Sequence, residues 1–184
     1  MIFIFIFLAL LILPVIFIAG VYNRLQRGRV RIEETWSGIG TTLQQRNDLI
    51  PNLVETVKGY AKHESETLNE ITRWRNQSVA ATSPDQQNAL QPGLGRALGN
   101  VFAVAENYPD LKADSHFMSL QSELAALEEK INNARGVYNR AASDYNAQLA
   151  VFPNNMIAGF FTMKPAAFFA EEEAARTVPK VKFN

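Results

Sequence analysis

The side chains with catalytic potential are few and badly spaced for reaction chemistry. Two histidines, His63 and His116, make up the whole imidazole complement of the 184 residues. They supply neither a three-ligand cluster nor an H-x-x-x-H pair for zinc. His63-Glu64 with Glu66 and Glu70 would be the donor set of a metal-dependent hydrolase, yet on one helical stretch it reads as a solvated face. Gly93-Leu94-Gly95-Arg96-Ala97-Leu98-Gly99 imitates a phosphate loop. It lacks the preceding strand and the lysine of a P-loop, and its spacing is not that of a dinucleotide fingerprint. No serine stands in a G-x-S-x-G turn. Glu128-Glu129 and Glu171-Glu172-Glu173 read as exposed faces, not acid–base pairs. Cysteine is absent, which removes disulfides, thiolate metal sites, a cysteine nucleophile and a lipid-bearing cysteine. The expectation is a non-enzyme with no catalytic, cofactor-binding or metal-ligating residue.

The elements that carry these residues begin with an apolar run. Residues 2–23 contain no charged side chain, and Arg24, Arg27, Arg29 and Arg31 follow at once. About 20 apolar residues at about 1.5 Å each match a hydrocarbon core of roughly 30 Å, and Pro14 is tolerated in such a span. A cleaved signal peptide would have a basic start, a shorter apolar core and an A-x-A-like site; Ala19-Gly20 is the only small pair. A retained anchor over 1–23 is therefore expected, crossing the cell (inner) membrane once. The arginines place the N-terminus outside and the rest in the cytoplasm. All 18 basic and 18 acidic residues lie after residue 23, and their sum is zero, so no basic excess argues for nucleic acid.

Beyond the anchor the period is helical throughout. Ile32, Trp36, Ile39, Leu43 and Ile50 recur at spacings of three, four and seven. Asp48 is the expected cap of a second helix from about 51 to 79, with Pro51 in its first turn; separate helices and one kinked rod both remain open at Pro51. Residues 81–93, rich in Ser, Pro, Gln and Gly, read as a surface loop before a shorter helix over about 94–107. Asp114 then caps a long helix reaching Phe152. Phe117, Leu120, Leu124, Leu127, Ile131, Ala134, Tyr138, Ala141, Tyr145 and Phe152 form its coiled-coil-like seam, which demands partner helices. Pro153-Asn154-Asn155 stops it, and Met156–Phe161 supplies a last helical turn or two. The fold class is all-α: a single N-terminal transmembrane helix followed by an elongated antiparallel bundle of about four helices over 24–161, and a C-terminal tail over 162–184.

The run from Arg46 to Glu64, RNDLIPNLVETVKGYAKHE, carries a resemblance. It is similar to the hallmark of the LemA family of bacterial membrane proteins. VYNR at 21–24, Trp36-Ser37, YPDLKA at 108–113, FPNNMIAGFF at 152–161 and PKVKF at 179–183 match further family landmarks. The resemblance covers almost the whole chain and implies a transmembrane helix, a helical bundle and no established enzymatic activity. Gly38 and Gly40 stand where that family usually has acidic residues, which loosens the first helix.

Within this run, Arg46 is expected to pair with Asp48 or Glu55. Pro51 and Asn52 fix the entry of helix two, and Glu55 suits its positive end. With Tyr138 and Tyr145, and with Asn139 and Asn146 beside them, these residues form an expected clasp or partner-binding surface. Phe160, Phe161, Phe168 and Phe169 are expected to contact the bundle, a neighbouring subunit or lipid. The resulting expectation is a membrane-anchored scaffold. It would contact the bilayer through residues 2–23, self-associate into a homo-oligomer of the ring or cage kind, and present a surface beside the membrane. The alternative is a regulatory subunit of a membrane protease, transporter or sensor.

Overall fold

The computed structural model describes residues 2–169, except the side chain of Ala9. Among these residues there are six helices and no strand: α1 (Ile2–Tyr60), α2 (Ser65–Ala80), α3 (Pro84–Ala105), α4 (Pro109–Lys112), α5 (Ser115–Ala150) and α6 (Asn154–Phe160). The all-α fold class stands, with one long apolar N-terminal helix followed by further helices that form a bundle. The chain divides into two compact units. Of the described residues, one holds 2–38 and 134–168, and the other holds 39–133 together with Phe169. Both α1 and α5 contribute residues to each.

The first correction concerns the Asp48 cap, and with it goes the choice left open at Pro51. α1 does not end or restart there, and Asp48 is no cap; it sits mid-helix, exposed, accepting a bond from Gln44 Nε2 at 2.8 Å. An interior proline lacks the N–H that would reach the carbonyl four residues back, here that of Asn47. Arg75 of α2 supplies the missing donor, its Nε lying 3.1 Å from the Asn47 carbonyl oxygen. The freed acceptor is satisfied from a neighbouring helix, and α1 continues.

The break falls instead at residues 61–64, between α1 and α2. Leu53, Val57 and Ala61 on one side and Leu68 and Ile71 on the other are all buried in one cluster with Leu94, Ala97, Leu98 and Val101 of α3. The chain folds back here to close that core.

The loop expected over 81–93 shrinks to three residues, because Ser83 starts α3 early. Its Oγ accepts from the Gln86 amide and Gln86 Oε1 accepts from the Ser83 amide, both at 3.3 Å, with Pro84 in the first turn. This reciprocal capping box outweighs the loop-like composition that follows. Asp114 does cap α5, its Oδ1 accepting from the Phe117 amide at 2.9 Å. At 36 residues α5 is about 54 Å long. Its stripe is buried at Phe117, Leu124, Leu127, Ile131, Tyr138, Ala141 and Tyr145, whereas Phe152 lies beyond the helix and is 77% exposed.

In the unit of residues 2–38 and 134–168, the large apolar side chains of 2–18 are exposed, and burial begins at Val21 and Leu25. Tyr145 seats its ring on Gly28, where an added Cβ would stand 3.0 Å from Tyr145 Cδ2. After α6, Thr162 turns at φ 53°. The Thr162 amide reaches the Gly159 carbonyl at 3.2 Å and the Met163 amide reaches that of Ala158 at 2.9 Å, closing α6 in a Schellman pattern.

Candidate functional site

The polar side chains of unit 39–133 converge inside its core. Arg46 on α1 is 1% exposed. Its Nη1 donates to Glu128 Oε2 of α5 at 3.0 Å and its Nη2 to Gln91 Oε1 of α3 at 2.8 Å. Gln91 Nε2 donates onward to Gln87 Oε1 at 3.0 Å. Gln87 Nε2 reaches the carbonyls of Ser78 and Ala81 at 2.8 and 3.2 Å. Ser78 Oγ receives Asn47 Nδ2 at 3.1 Å, which returns the chain of bonds to α1. Four helices are thereby joined through one network that starts from a buried guanidinium, both of whose terminal nitrogens find an acceptor.

Arg46 is thus at the centre of a clasp, but its partners are not those expected. Asp48 faces solvent, and Glu55 is exposed and lies 3.7 Å from Lys58 in an i,i+3 pair. Pro51 and Asn52 are exposed, and the Asn52 carbonyl takes the Thr56 hydroxyl at 2.8 Å. Glu128, read as part of a solvated face, is the half-buried counter-ion. Sequence reasoning missed Asn47, Ser78, Gln87, Gln91 and Arg75. The available signal was positional: each falls at or beside a core position of its helix, where an apolar residue is due.

Gly93, considered above as part of a phosphate loop, has a packing role instead. A Cβ there would stand 2.3–2.5 Å from three ring carbons of Trp74. The missing side chain lets the indole of α2 lie directly on the α3 backbone. Two further bonds fasten the turns of this unit. Tyr60 Oη donates to Asp114 Oδ2 at 3.0 Å, and Tyr108 Oη donates to Glu64 Oε1 at 3.2 Å. The Phe117 amide and then the Tyr60 hydroxyl hold the Asp114 carboxyl below its ordinary range. The carboxylate bond raises the Tyr60 phenol, while burial followed by the Glu64 bond raises that of Tyr108. His63 is exposed, and among the described residues no three His, Asp or Glu side chains are grouped to hold a metal.

Tyr138 and Tyr145 belong to the other unit; Tyr145 lies on Gly28 of α1, and Tyr138 with Asn146 holds the chain that returns after α6. Tyr138 Oη donates to the Ala167 carbonyl at 3.1 Å. Asn146 grips Ala166 twice, Nδ2 to its carbonyl at 2.9 Å and Oδ1 from its amide at 2.8 Å. Tyr145 is buried, which raises its phenol, while nearby Arg29 acts in the opposite sense. The rings of Tyr22 and Phe161 meet at 4.6 Å, tilted by 53°, and that of Phe160 lies 5.1 Å from that of Phe161. Of the four tail phenylalanines, Phe169 is buried at 2% exposure, whereas Phe160, Phe161 and Phe168 are exposed. Glu171-Glu172-Glu173 and the PKVKF end lie outside the described residues.

Comparison with known proteins fits this architecture. A model of the LemA family matches residues 35–183. Protein LemA of Metamycoplasma hominis is 29% identical over 161 residues, covering 85% of this chain and 72% of that protein. Magnetosome proteins MamQ 1 and MamQ 2 of Paramagnetospirillum magneticum are each 27% identical over 161 residues, covering 73% of this chain. The chain spans 59% of the length of each of those two magnetosome proteins. The exposed apolar start of α1 is long enough to cross a bilayer and, with these relatives, fits a membrane-anchored protein. With most of its length matched, this chain belongs to the LemA family.

Proposed function

We propose that this protein is a non-enzymatic, membrane-anchored helical scaffold that self-associates and presents an interaction surface beside the membrane. Residues 2–23 hold it in the bilayer, and Arg24, Arg27, Arg29 and Arg31 keep the bundle on the cytoplasmic side of the cell membrane. The observation that carries the self-association is a groove between α1 and α5, about 410 Å³ in volume. Its apolar floor is Leu49, Ala126 and Leu127, and its rims carry Asp48 and Glu123 of one sign and Lys130 of the other. A surface bearing both signs around an apolar floor is suited to pairing with itself. Ala125, exposed beside Ala126, leaves room for another helix to approach closely.

The test is the mass of the full chain in mild detergent and in nanodiscs. A particle of several subunits is expected, and Ala126→Trp, which fills the groove, should reduce it toward the monomer. A wild-type particle that is monomeric at cellular concentration overturns the reading. Capture of one dominant foreign protein, with no second copy of this chain, would favour a regulatory subunit instead.

A further inference from the structure

The most exposed large apolar side chains outside the anchor are gathered around α6. Phe152, Met156 and Phe160 are 77%, 66% and 82% exposed, values otherwise reached among the described residues only along the anchor itself. Such a patch has to be covered. Its position relative to α1 says by what. Tyr145 rests on Gly28, whereas Phe161 meets Tyr22, six residues and about 9 Å closer to the apolar start of the helix. The chain after Tyr145 therefore climbs toward the anchor, and α6 arrives where the uncharged run ends.

The charges at this level agree. Arg24 and Arg27 are exposed on the following turns of α1. A cavity of about 440 Å³ behind the aromatic edge is lined by Tyr22, Gln26, Arg29 and Lys164, with Glu33 paired to Arg29 at 3.1 Å. Aromatic rings backed by cations, at the end of a spanning segment, are the composition of a headgroup boundary.

We infer that α6 and the turn before it form a second membrane contact. Phe152, Met156 and Phe160 seat in the headgroup–acyl boundary of the bilayer that holds the anchor, and Lys164 with Arg24 and Arg27 meets its anionic headgroups. The inference rests on residues 2–23 spanning the bilayer, and the test separates the two.

Because the sequence has no cysteine, single nitroxide labels are clean. Phe160→Cys, Phe152→Cys, Phe7→Cys in the anchor and Ser122→Cys on the exposed face of α5 are reconstituted as full chains in vesicles of phosphatidylcholine with phosphatidylglycerol. Collision with oxygen against a water-soluble nickel chelate then reads depth. The expected result is a several-fold higher oxygen-to-nickel ratio at 152 and 160 than at 122, below that at 7, falling when phosphatidylglycerol is omitted. Water-like values at 152 and 160 with a lipid-like value at 7 overturn the second contact and leave the anchor standing. Water-like values at all of 7, 152 and 160 overturn both. Spin–spin broadening at 160 that unlabelled chain dilutes away assigns the patch to another copy and also overturns the inference.

Discussion

Unit 39–133 is fastened from inside, by a buried arginine whose bonds pass through side chains of four helices, and by an indole laid on a bare backbone. In unit 2–38 with 134–168, the polar groups of α5 hold a returning non-helical segment by its own peptide groups. The difference follows from what each must secure. A helix satisfies its own backbone, so only side chains are left to tie helices together. The segment after α6 has unsatisfied amides and carbonyls, which Asn146 and Tyr138 are placed to meet.

The largest effect is expected at the buried charge. Arg46→Ala or Glu128→Ala leaves one partner of a pair that is buried on the arginine side only, so a loss of about 2–4 kcal/mol is expected by denaturant titration, below the fully buried limit because Glu128 is part-exposed. Arg46→Met should cost clearly less than Arg46→Ala, since it removes the charge and keeps the packing. Equal losses for the two would mean that the bonded network, not the packed volume, fastens this unit.

Gly93→Ala is expected next, at about 1–3 kcal/mol, because overpacking against Trp74 exceeds the helix-propensity gain of alanine. In a Trp74→Phe background the penalty should shrink, and an unchanged penalty would show that the indole is not the obstacle.

Arg75→Met should cost about 1–2 kcal/mol by stranding the Asn47 carbonyl. Pro51→Ala restores the missing amide, so in that background Arg75→Met should lose much of its effect; simple additivity would separate Arg75 from the proline.

For the other unit, Asn146→Ala removes two bonds to Ala166 and should cost about 1–2 kcal/mol. It should raise amide exchange at Ala166 while leaving amide-exchange protection in α2 and α3 unchanged. Protection lost in both places would dissolve the distinction between the units.

The smallest effect is pH-dependent. The folded Asp114 carboxyl titrates below its unfolded value near 3.9. Its contribution is therefore present above about pH 4 and is lost as pH falls through the lower folded value. Asp114→Asn should flatten that part of the acid limb in thermal melts from pH 5 to 2. Tyr60 has the opposite sign: its raised phenol contributes fully below about pH 10 and is lost above it.

Much of the fold was legible in the sequence. The uncharged run, the three-four stripes, the Asp114 cap and the Pro153 stop depend on local spacing, and local spacing is what a helix reads. Arg46 was also legible as unusual, because a charged residue at a core position requires an explanation. Its partners were not. Glu128 and Gln91 are 82 and 45 positions away, and no periodicity on α1 selects between them and the nearby Asp48 and Glu55.

The sequence by itself determined the all-helical class, the membrane-length apolar start and the absence of thiol chemistry, because each is written in residue type and period. Only the tertiary structure decided that α1 passes through Pro51, that Gly93 is a seat for Trp74, and that Phe161 returns to Tyr22 at the end of the uncharged run. Each of these depends on a donor, a ring or a surface brought from elsewhere in the chain, and a one-dimensional pattern does not encode which distant group will arrive.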